Sequence, residues 1–404
     1  MEYRRGPFGI GRSKGATLTA ERTVLAVVHH VTAATRLADV LPLVERDRRV
    51  QVVYTVAPAS VLSVGATEYL RAAGAVEIPF EQAAQNRFDL AVSAGDGALQ
   101  HVNAPVLLLQ HGMGPSVAAR RWDGAGPPVR RPLAGLARQN YVAGGRVIAS
   151  AIGLSHPAQR RQLLDVVPEA ERVAHVVGDP AYDRVEASFG RRDAYRDALG
   201  VGPGRRLVFV TSTWGGKGLV GSCPDILRRL VTELPAERYV VAAALHPVIW
   251  NWHGRRQVLA WTSDAPGLRL LPPEEGWRAA IVAADVVLGD CGSVTAYSAA
   301  AGRPGLLGAF PDRDVAPDST AEAVGRIFPR LDLDGPLVPQ FEGCIASHRP
   351  DRAATLRDRL TGEPGRAAPR LRALMYKMMD LPEPESPAST EPVPLPEPIG
   401  GPVR

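Results

Sequence analysis

At 404 residues the chain is too long for one ordinary core, and at roughly 100–200 residues per domain it is expected to hold two domains plus tails. Hydrophobic residues at 45% and charged residues at 22% are ordinary for a globular protein, so most of the chain should fold. The formal net charge of +5 suits acidic ligands such as nucleotides, phosphates or an anionic lipid surface, but no zinc-finger spacing and no basic run interleaved with aromatics argues for nucleic acid.

Residues 1–21 carry arginines and glycines without an apolar stretch, and read as a flexible basic N-terminus, not a secretory signal. Thr23–Val28 is expected as a buried strand, followed by His29, His30 and a helix from Thr35 to Glu45. Val50–Val56 is a second apolar run, Ser63–Ala73 fits a helix, and Phe88–Ser93 and Pro105–Gln110 are two more short strands. Short apolar runs alternating with helical patterns predict a parallel sheet with helices on both faces.

The pattern turns over at Gly178–Arg184, a turn-rich segment after the apolar run Val173–Val177, and a new cycle starts after a helix at Arg191–Leu199. Strands are expected at Leu207–Thr211, Tyr239–Leu245, Val286–Gly289 and Pro304–Leu307, with helices at Pro224–Leu234, Trp277–Ala284 and Gly292–Ala301. Two α/β units in tandem follow, over residues 22–178 and 179–375. The proline-dense stretch 381–404 cannot bury a core and is expected to stay extended and disordered. Three scattered cysteines (Cys223, Cys291, Cys344) with no CxxC pair argue against a disulfide framework or a structural zinc site and fit a reducing cytosol. No apolar run approaches the ~18–20 residues of a spanning helix, so any membrane contact would be peripheral.

Four segments carry groups suited to chemistry. In Asp285–Pro304 a strand runs through Asp290-Cys291-Gly292-Ser293 into a helix. The free N–H groups and partial positive charge of a helix start bind phosphates, with Ser293 and Thr295 as hydroxyl donors. Asp290 would cap the helix or accept a ligand hydroxyl. An ordinary capped turn is the alternative. In Leu107–Ser116 an apolar strand ends in Gln110-His111-Gly112, where the carboxyl edge of a parallel sheet meets the ligand crevice. An imidazole there is suited to take a proton from a hydroxyl, and a structural histidine is the alternative. His246-Pro247 follows a strand directly and would donate to a phosphate or ribose, or pack in its loop. Thr211–Gly218 brings hydroxyls, glycines and Lys217, a candidate phosphate contact, without the order of a P-loop.

In this order the segments resemble the CDP-glycerol glycerophosphotransferase family, the teichoic-acid polymerases with a GT-B-like catalytic unit. The resemblance rests on Gln110-His111-Gly112, the hinge-like Gly178-Asp179-Pro180-Ala181-Tyr182-Asp183, Thr211-Ser212-Thr213-Trp214, His246-Pro247 and Asp290-Cys291-Gly292-Ser293-Val294. It spans about residues 105–310. The His-Gly loop continues Met113-Gly114-Pro115 where the polymerases carry a Thr-Pro-Leu-Lys-like sequence, so the basic residue is missing.

What the resemblance implies is a fold of two Rossmann-like doubly wound domains facing a cleft, with an acceptor domain at 22–178 and a nucleotide-donor domain at 179–375. It implies transfer of a glycosyl or glycerophosphoryl group from a CDP- or UDP-linked donor to an unidentified hydroxyl, in cell-envelope polymer or glycoconjugate synthesis. His111 would be the base. His246, Thr213, Trp214, Lys217, Asp290, Gly292, Ser293, Val294 and Thr295 would hold the donor, with His246 also assisting catalysis. No cofactor is expected, and no metal, because no DxD-like acidic cluster is present. Two rivals stand beside this: a UDP-sugar 2-epimerase-like isomerase, using Asp96 with Glu274 or Glu275 as acid and base, and a non-catalytic nucleotide-binding scaffold.

Overall fold

The apolar runs in the first half of the chain become parallel strands of one sheet. The computed structural model describes residues 3–9, 15–58, 62–117 and 133–399. Its first strands are β1 (Arg22–Val28), β2 (Val50–Val56), β3 (Leu90–Ser93) and β4 (Val106–Leu109). A small antiparallel hairpin follows, β5 (Val142–Ala143) with β6 (Arg146–Val147), then β7 (Ala151–Leu154) and β8 (Ala174–Val176). The six-stranded sheet has the order β2-β1-β3-β4-β7-β8 and is parallel throughout. Every residue of β1 from Thr23 to Val28 is buried, as a strand covered by helices on both faces requires. Leu37 and Val40 from the helix Val31–Val40, and Leu371, Met375 and Tyr376 from the helix Ala367–Met378, pack with β1 and β2 in one core.

The second half repeats the plan with β9 (Arg206–Ser212), β10 (Tyr239–Leu245), β11 (Arg269–Leu270), β12 (Val286–Gly289) and β13 (Gly305–Leu307). They form a parallel sheet ordered β11-β10-β9-β12-β13. Both sheets are doubly wound, the architecture expected from the alternating pattern. In the first sheet the chain goes from β1 out to β2 and returns to the other side of β1 for β3. In the second it goes from β9 to β10 and β11, then returns to the other side of β9 for β12. Those reversals are topological switch points, where the carboxyl ends of neighbouring strands leave a crevice for ligands.

The chain divides into unit 1 (residues 1–114, 135–181 and 362–390) and unit 2 (115–134, 182–361 and 391–404). The helix Ala367–Met378 therefore belongs to unit 1, although most of it lies inside the 179–375 segment assigned to the second domain. Its apolar stripe has no local mark saying which sheet it covers. Gly178–Arg184 is not a run of turns: a helix starts at Pro180 and continues to Ala187, with the Asp179 carboxylate accepting from the Ala181 N–H at 2.9 Å. Proline is at home in a first helical turn because its missing N–H would go unpaired there.

Both termini depart from free segments where they are described. In the N-terminus, expected to be flexible, Phe8 is buried, Arg4 and Gln82 exchange two hydrogen bonds, and Tyr3 donates to Gln85. Residues 1–2 and 10–14 of that expectation lie outside the described residues. Among its described residues the C-terminal stretch carries no helix or strand after Asp380, as its prolines demand, yet it is fastened. Val393 is fully buried in unit 2, receiving a hydrogen bond from Tyr195 and giving one to Ser188, and the Ile399 N–H donates to Leu270. Sparse apolar residues in a proline-rich chain suffice for docking when a preformed surface supplies the rest of the contacts. Residues 400–404 lie outside the described ones. No helix among the described residues is long and apolar enough to cross a membrane.

Candidate functional site

In unit 1 the carboxyl ends of β1, β3 and β4 bring together His29 and His30, the Ala94–Gly97 turn, and Gln110-His111-Gly112. His111 retains exposed surface, and its Nδ1 lies 2.8 Å from the Ala94 carbonyl oxygen. A carbonyl only accepts, so Nδ1 carries the proton and Nε2 keeps its lone pair, the tautomer a general base needs. Desolvation is the largest influence on this imidazole and lowers its pKa. The Arg36 charge and His29 act in the same direction, against the Ala94 hydrogen bond and Asp96. His111 is therefore neutral and able to accept a proton at neutral pH.

The loop bearing His111 is tied down from beneath. Arg36 and Asp179, 5% and 0% exposed, form an ion pair at 2.9 Å, and Arg36 also donates to the Gly112 carbonyl at 3.2 Å. Removing either partner would leave the other charge buried and uncompensated. Nothing in the local pattern pointed to Arg36, a single charge among the apolar positions of its helix. Asp179, read in the sequence only as part of the hinge-like segment, is its counter-ion. His29 is fully packed: its Nε2 donates to the Gly97 carbonyl at 2.8 Å, and burial lowers its pKa. A Cβ on Gly95 would come within 2.9 Å of that ring, so the turn has to be glycine there.

In unit 2 the switch point lies between β9 and β12, and Asp290 stitches its two sides together. Its Oδ2 accepts from the N–H groups of Thr213 at 2.7 Å and Leu219 at 2.9 Å, and its Oδ1 from Gly292 at 2.8 Å. Asp290 is 1% exposed, and burial pushes its pKa up to about 6 against the pull of those three hydrogen bonds. The carboxylate is thus spent on the protein's own backbone. The sequence offered it as a helix cap or a ligand contact; in the structure it braces the glycine-rich loop after β9 against the start of the helix Ser293–Ala300. That loop is folded tightly: a Cβ on Gly218 would collide with the Thr213 carbonyl.

The other candidates divide. Gly292, Ser293 and Val294 keep accessible surface at the helix start, and Thr213 and Trp214 are partly exposed, Trp214 while packing against the core of unit 2. Thr295 is completely buried, and its hydroxyl receives the Asp290 N–H at 3.2 Å, so it faces inward and not towards a ligand. Helical spacing explains this, because two residues past an exposed Ser293 the helix has turned to the core. Lys217 is mostly exposed and forms an ion pair with Asp314, so its charge is already matched. Lys217→Ala is expected to change nucleotide affinity by less than about fivefold, since an exposed pair is worth up to ~1 kcal/mol, as calorimetric titration would read. His246 caps the helix Pro247–His253: its Nδ1 accepts from the Val248 N–H at 3.2 Å, which places the ring proton on Nε2. Of the rival acids, Asp96 is partly buried beside His29 and His111, while Glu275 is engaged with Arg278 at 3.0 Å and its neighbour's N–H. Among the described residues no group of three or more His, Cys, Asp or Glu side chains is gathered to hold a metal ion.

No protein-family model matches the chain, and no curated protein matches it. Solved structures do. A variant of the wall teichoic acid polymerase TagF soaked with CDPG is similar with a TM-score of 0.62 at 12% identity, over 90% of this chain and 89% of that one. The structure of TagF without a named ligand gives 0.56 at 12% identity, over 89% and 90%. A Listeria monocytogenes protein assigned as a UDP-N-acetylglucosamine 2-epimerase gives 0.53 at 15% identity, over 91% and 99%. Identities this low establish a shared fold: the chain is an α/β protein of two Rossmann-like units of the GT-B-like class, as the sequence led us to expect.

Proposed function

We propose that the chain is a transferase that moves a glycosyl or glycerophosphoryl group from a nucleotide-diphosphate donor to an acceptor hydroxyl, serving cell-envelope polymer or glycoconjugate synthesis. The observation that carries this reading is His111, whose Nδ1–H is committed to the Ala94 carbonyl so that Nε2 is the basic nitrogen at a sheet's carboxyl edge. Unit 1 handles the acceptor. As its hydroxyl oxygen bonds to the anomeric carbon or the phosphorus of the donor, its proton passes to His111 Nε2. The bond to the departing phosphate oxygen breaks, and the nucleotide leaves as a diphosphate after glycosyl transfer or as a monophosphate after glycerophosphoryl transfer.

Unit 2 holds the donor. The helix start at Gly292-Ser293-Val294 offers N–H groups and partial positive charge to its phosphates. Thr213, Trp214 and His246 border the same carboxyl edge, and charge growing on the leaving phosphate is stabilised by fixed polar groups of this kind. The likeness to a polymerase soaked with CDPG supports a CDP-linked donor, and the likeness to an assigned UDP-N-acetylglucosamine epimerase keeps a UDP-linked one in the reading. The reading is metal-independent, so turnover is expected to survive EDTA, and loss restored by a divalent cation would refute that part.

The test of the reaction class is a product assay with CDP-glycerol and UDP-N-acetylglucosamine, with and without a polyol acceptor. Nucleotide release that rises with acceptor concentration supports transfer. A sugar product that forms at the same rate without acceptor would establish the isomerase instead. Glu275, tied to Arg278, is poorly placed to serve that alternative as an acid or base.

A further inference from the structure

We infer that the consecutive helices Pro247–His253 and Arg255–Trp261 of unit 2 form a docking surface for an anionic lipid bilayer, lying in its interface without crossing it. Exposed large apolar side chains are scattered singly along the described residues except here, where Trp252, Leu259 and Trp261, 61%, 36% and 48% exposed, fall close together in the chain. The helices are held by their other faces. Trp250, 3% exposed, donates through Nε1 to the Leu245 carbonyl at 3.2 Å, and Val258 is fully buried in the core of unit 2. That anchoring leaves two indoles turned to water, where apolar surface is costly. The turn between the helices is Gly254, at a φ of 84° that favours glycine. Across it the His253 and Trp261 rings meet edge to face with centroids 4.8 Å apart, so the exposed residues form one patch.

The charge of the patch indicates what covers it. From Arg238 to Ser263 the sequence holds no aspartate or glutamate, while His253, Arg255 and Arg256 lie beside the indoles and are exposed. The next acid along the chain, Asp264, is faced by Arg228 at 3.6 Å. A second copy docked through the same face would set arginine against arginine, and the core of a protein interface is poor in charge. A bilayer of anionic lipids suits both features. Indoles settle at headgroup level, the leucine lies deeper, and arginine stems follow the apolar surface while their guanidinium groups meet lipid phosphates. The first of the two helices starts directly after His246, where β10 ends, so docking would hold unit 2 to the membrane near the sheet edge read as its donor site. Docking itself does not depend on that reading.

The test is flotation of the full chain with vesicles of phosphatidylcholine alone and of phosphatidylcholine mixed two to one with phosphatidylglycerol. Binding to the mixed vesicles is expected, weakening as salt is raised, with little on phosphatidylcholine alone. Arg255→Gln with Arg256→Gln should lower the partition coefficient about 20-fold, at about fivefold per arginine. Trp252→Ser with Trp261→Ser should lower it about 100-fold, at about tenfold per ring withdrawn from the lipid. These side chains are exposed, so the melting temperature should match that of the native chain. Should the tryptophan pair melt lower, Leu259→Asp takes its place, setting an acid against the lipid at a single exposed position, and weaker binding is again expected. No binding to the mixed vesicles would overturn the inference, as would binding that none of these variants weakens. A native dimer that Trp252→Ser with Trp261→Ser turns into a monomer would assign the patch to a second copy and overturn it as well. Vesicle binding by a chain that no nucleotide stabilises would sink the donor reading alone and leave this surface standing.

Discussion

Replacing His111 by alanine is expected to lower turnover about 100- to 10,000-fold, the range a general base contributes, while leaving the fold intact. In barrier terms that is roughly 3–5 kcal/mol. The fold should survive because the hydrogen bond lost among the described residues is the one to the Ala94 carbonyl, on a ring that keeps exposed surface. The pH profile carries the same claim. Desolvation lowers the His111 pKa, so the acid limb of kcat at saturating donor should fall below the ordinary imidazole value near 6.5. Below that limb the ring is protonated and cannot accept. Full turnover by a folded His111→Ala chain would remove the base from the account.

The second large effect is expected at Asp290, and it is expected in donor affinity. Three backbone N–H groups point at its two oxygens. In Asp290→Asn one of those oxygens becomes an NH2, and in either orientation a donor faces at least one N–H. An unpaired buried donor costs about 1–3 kcal/mol, and the loop from Thr213 to Leu219 comes loose from the helix start. Donor KM should rise by about 5- to 150-fold if that cost falls on binding, with kcat changed less. Acid should do the same to the native chain as pH falls through about 6, where Asp290 takes up a proton. The stability effect has the opposite sign. A folded pKa of about 6 lies above the ordinary aspartate value of about 3.9, so folding favours the protonated form. The contribution is fully present below about 4 and is lost as pH rises through 6. Weaker donor binding together with a more stable chain in mild acid is the signature expected of this group. A donor KM unaffected by Asp290→Asn would show that the brace is irrelevant to the donor.

The fold was legible because its strands are continuous apolar runs. Val50–Val56, Tyr239–Leu245 and Val286–Gly289 are observed with the predicted bounds, and parallel strands covered on both faces leave little else for such runs to be. Ala151–Leu154 was missed because four residues including a glycine are too short to stand out. The helix Ala367–Met378 packs in unit 1, which the sequence could not indicate because amphipathicity names a buried face without naming its partner.

In the candidate site, the residue types and their strand-end positions could be read, but not the direction of each bond. The sequence put Asp290 and Thr295 among ligand contacts; the structure turns one to the backbone and the other into the core. Arg36 could not be found in advance, since its role exists through Asp179, 143 residues away. The histidines were visible as residues after strands. Which ring nitrogen carries the proton in His111 and in His246 depended on Ala94 and Val248, and on the backbone geometry that aims them.

The most direct test of the central claim is the thermal stability of the full chain with CDP, UDP, GDP, ADP and the corresponding monophosphates at millimolar concentration. A ligand at ~100 times its dissociation constant adds about 2.7 kcal/mol, a shift easily seen in a melt. The account predicts that CDP or UDP raises the melting temperature well beyond its monophosphate, and that Asp290→Asn blunts the rise. No stabilisation by any diphosphate would contradict a donor site in unit 2.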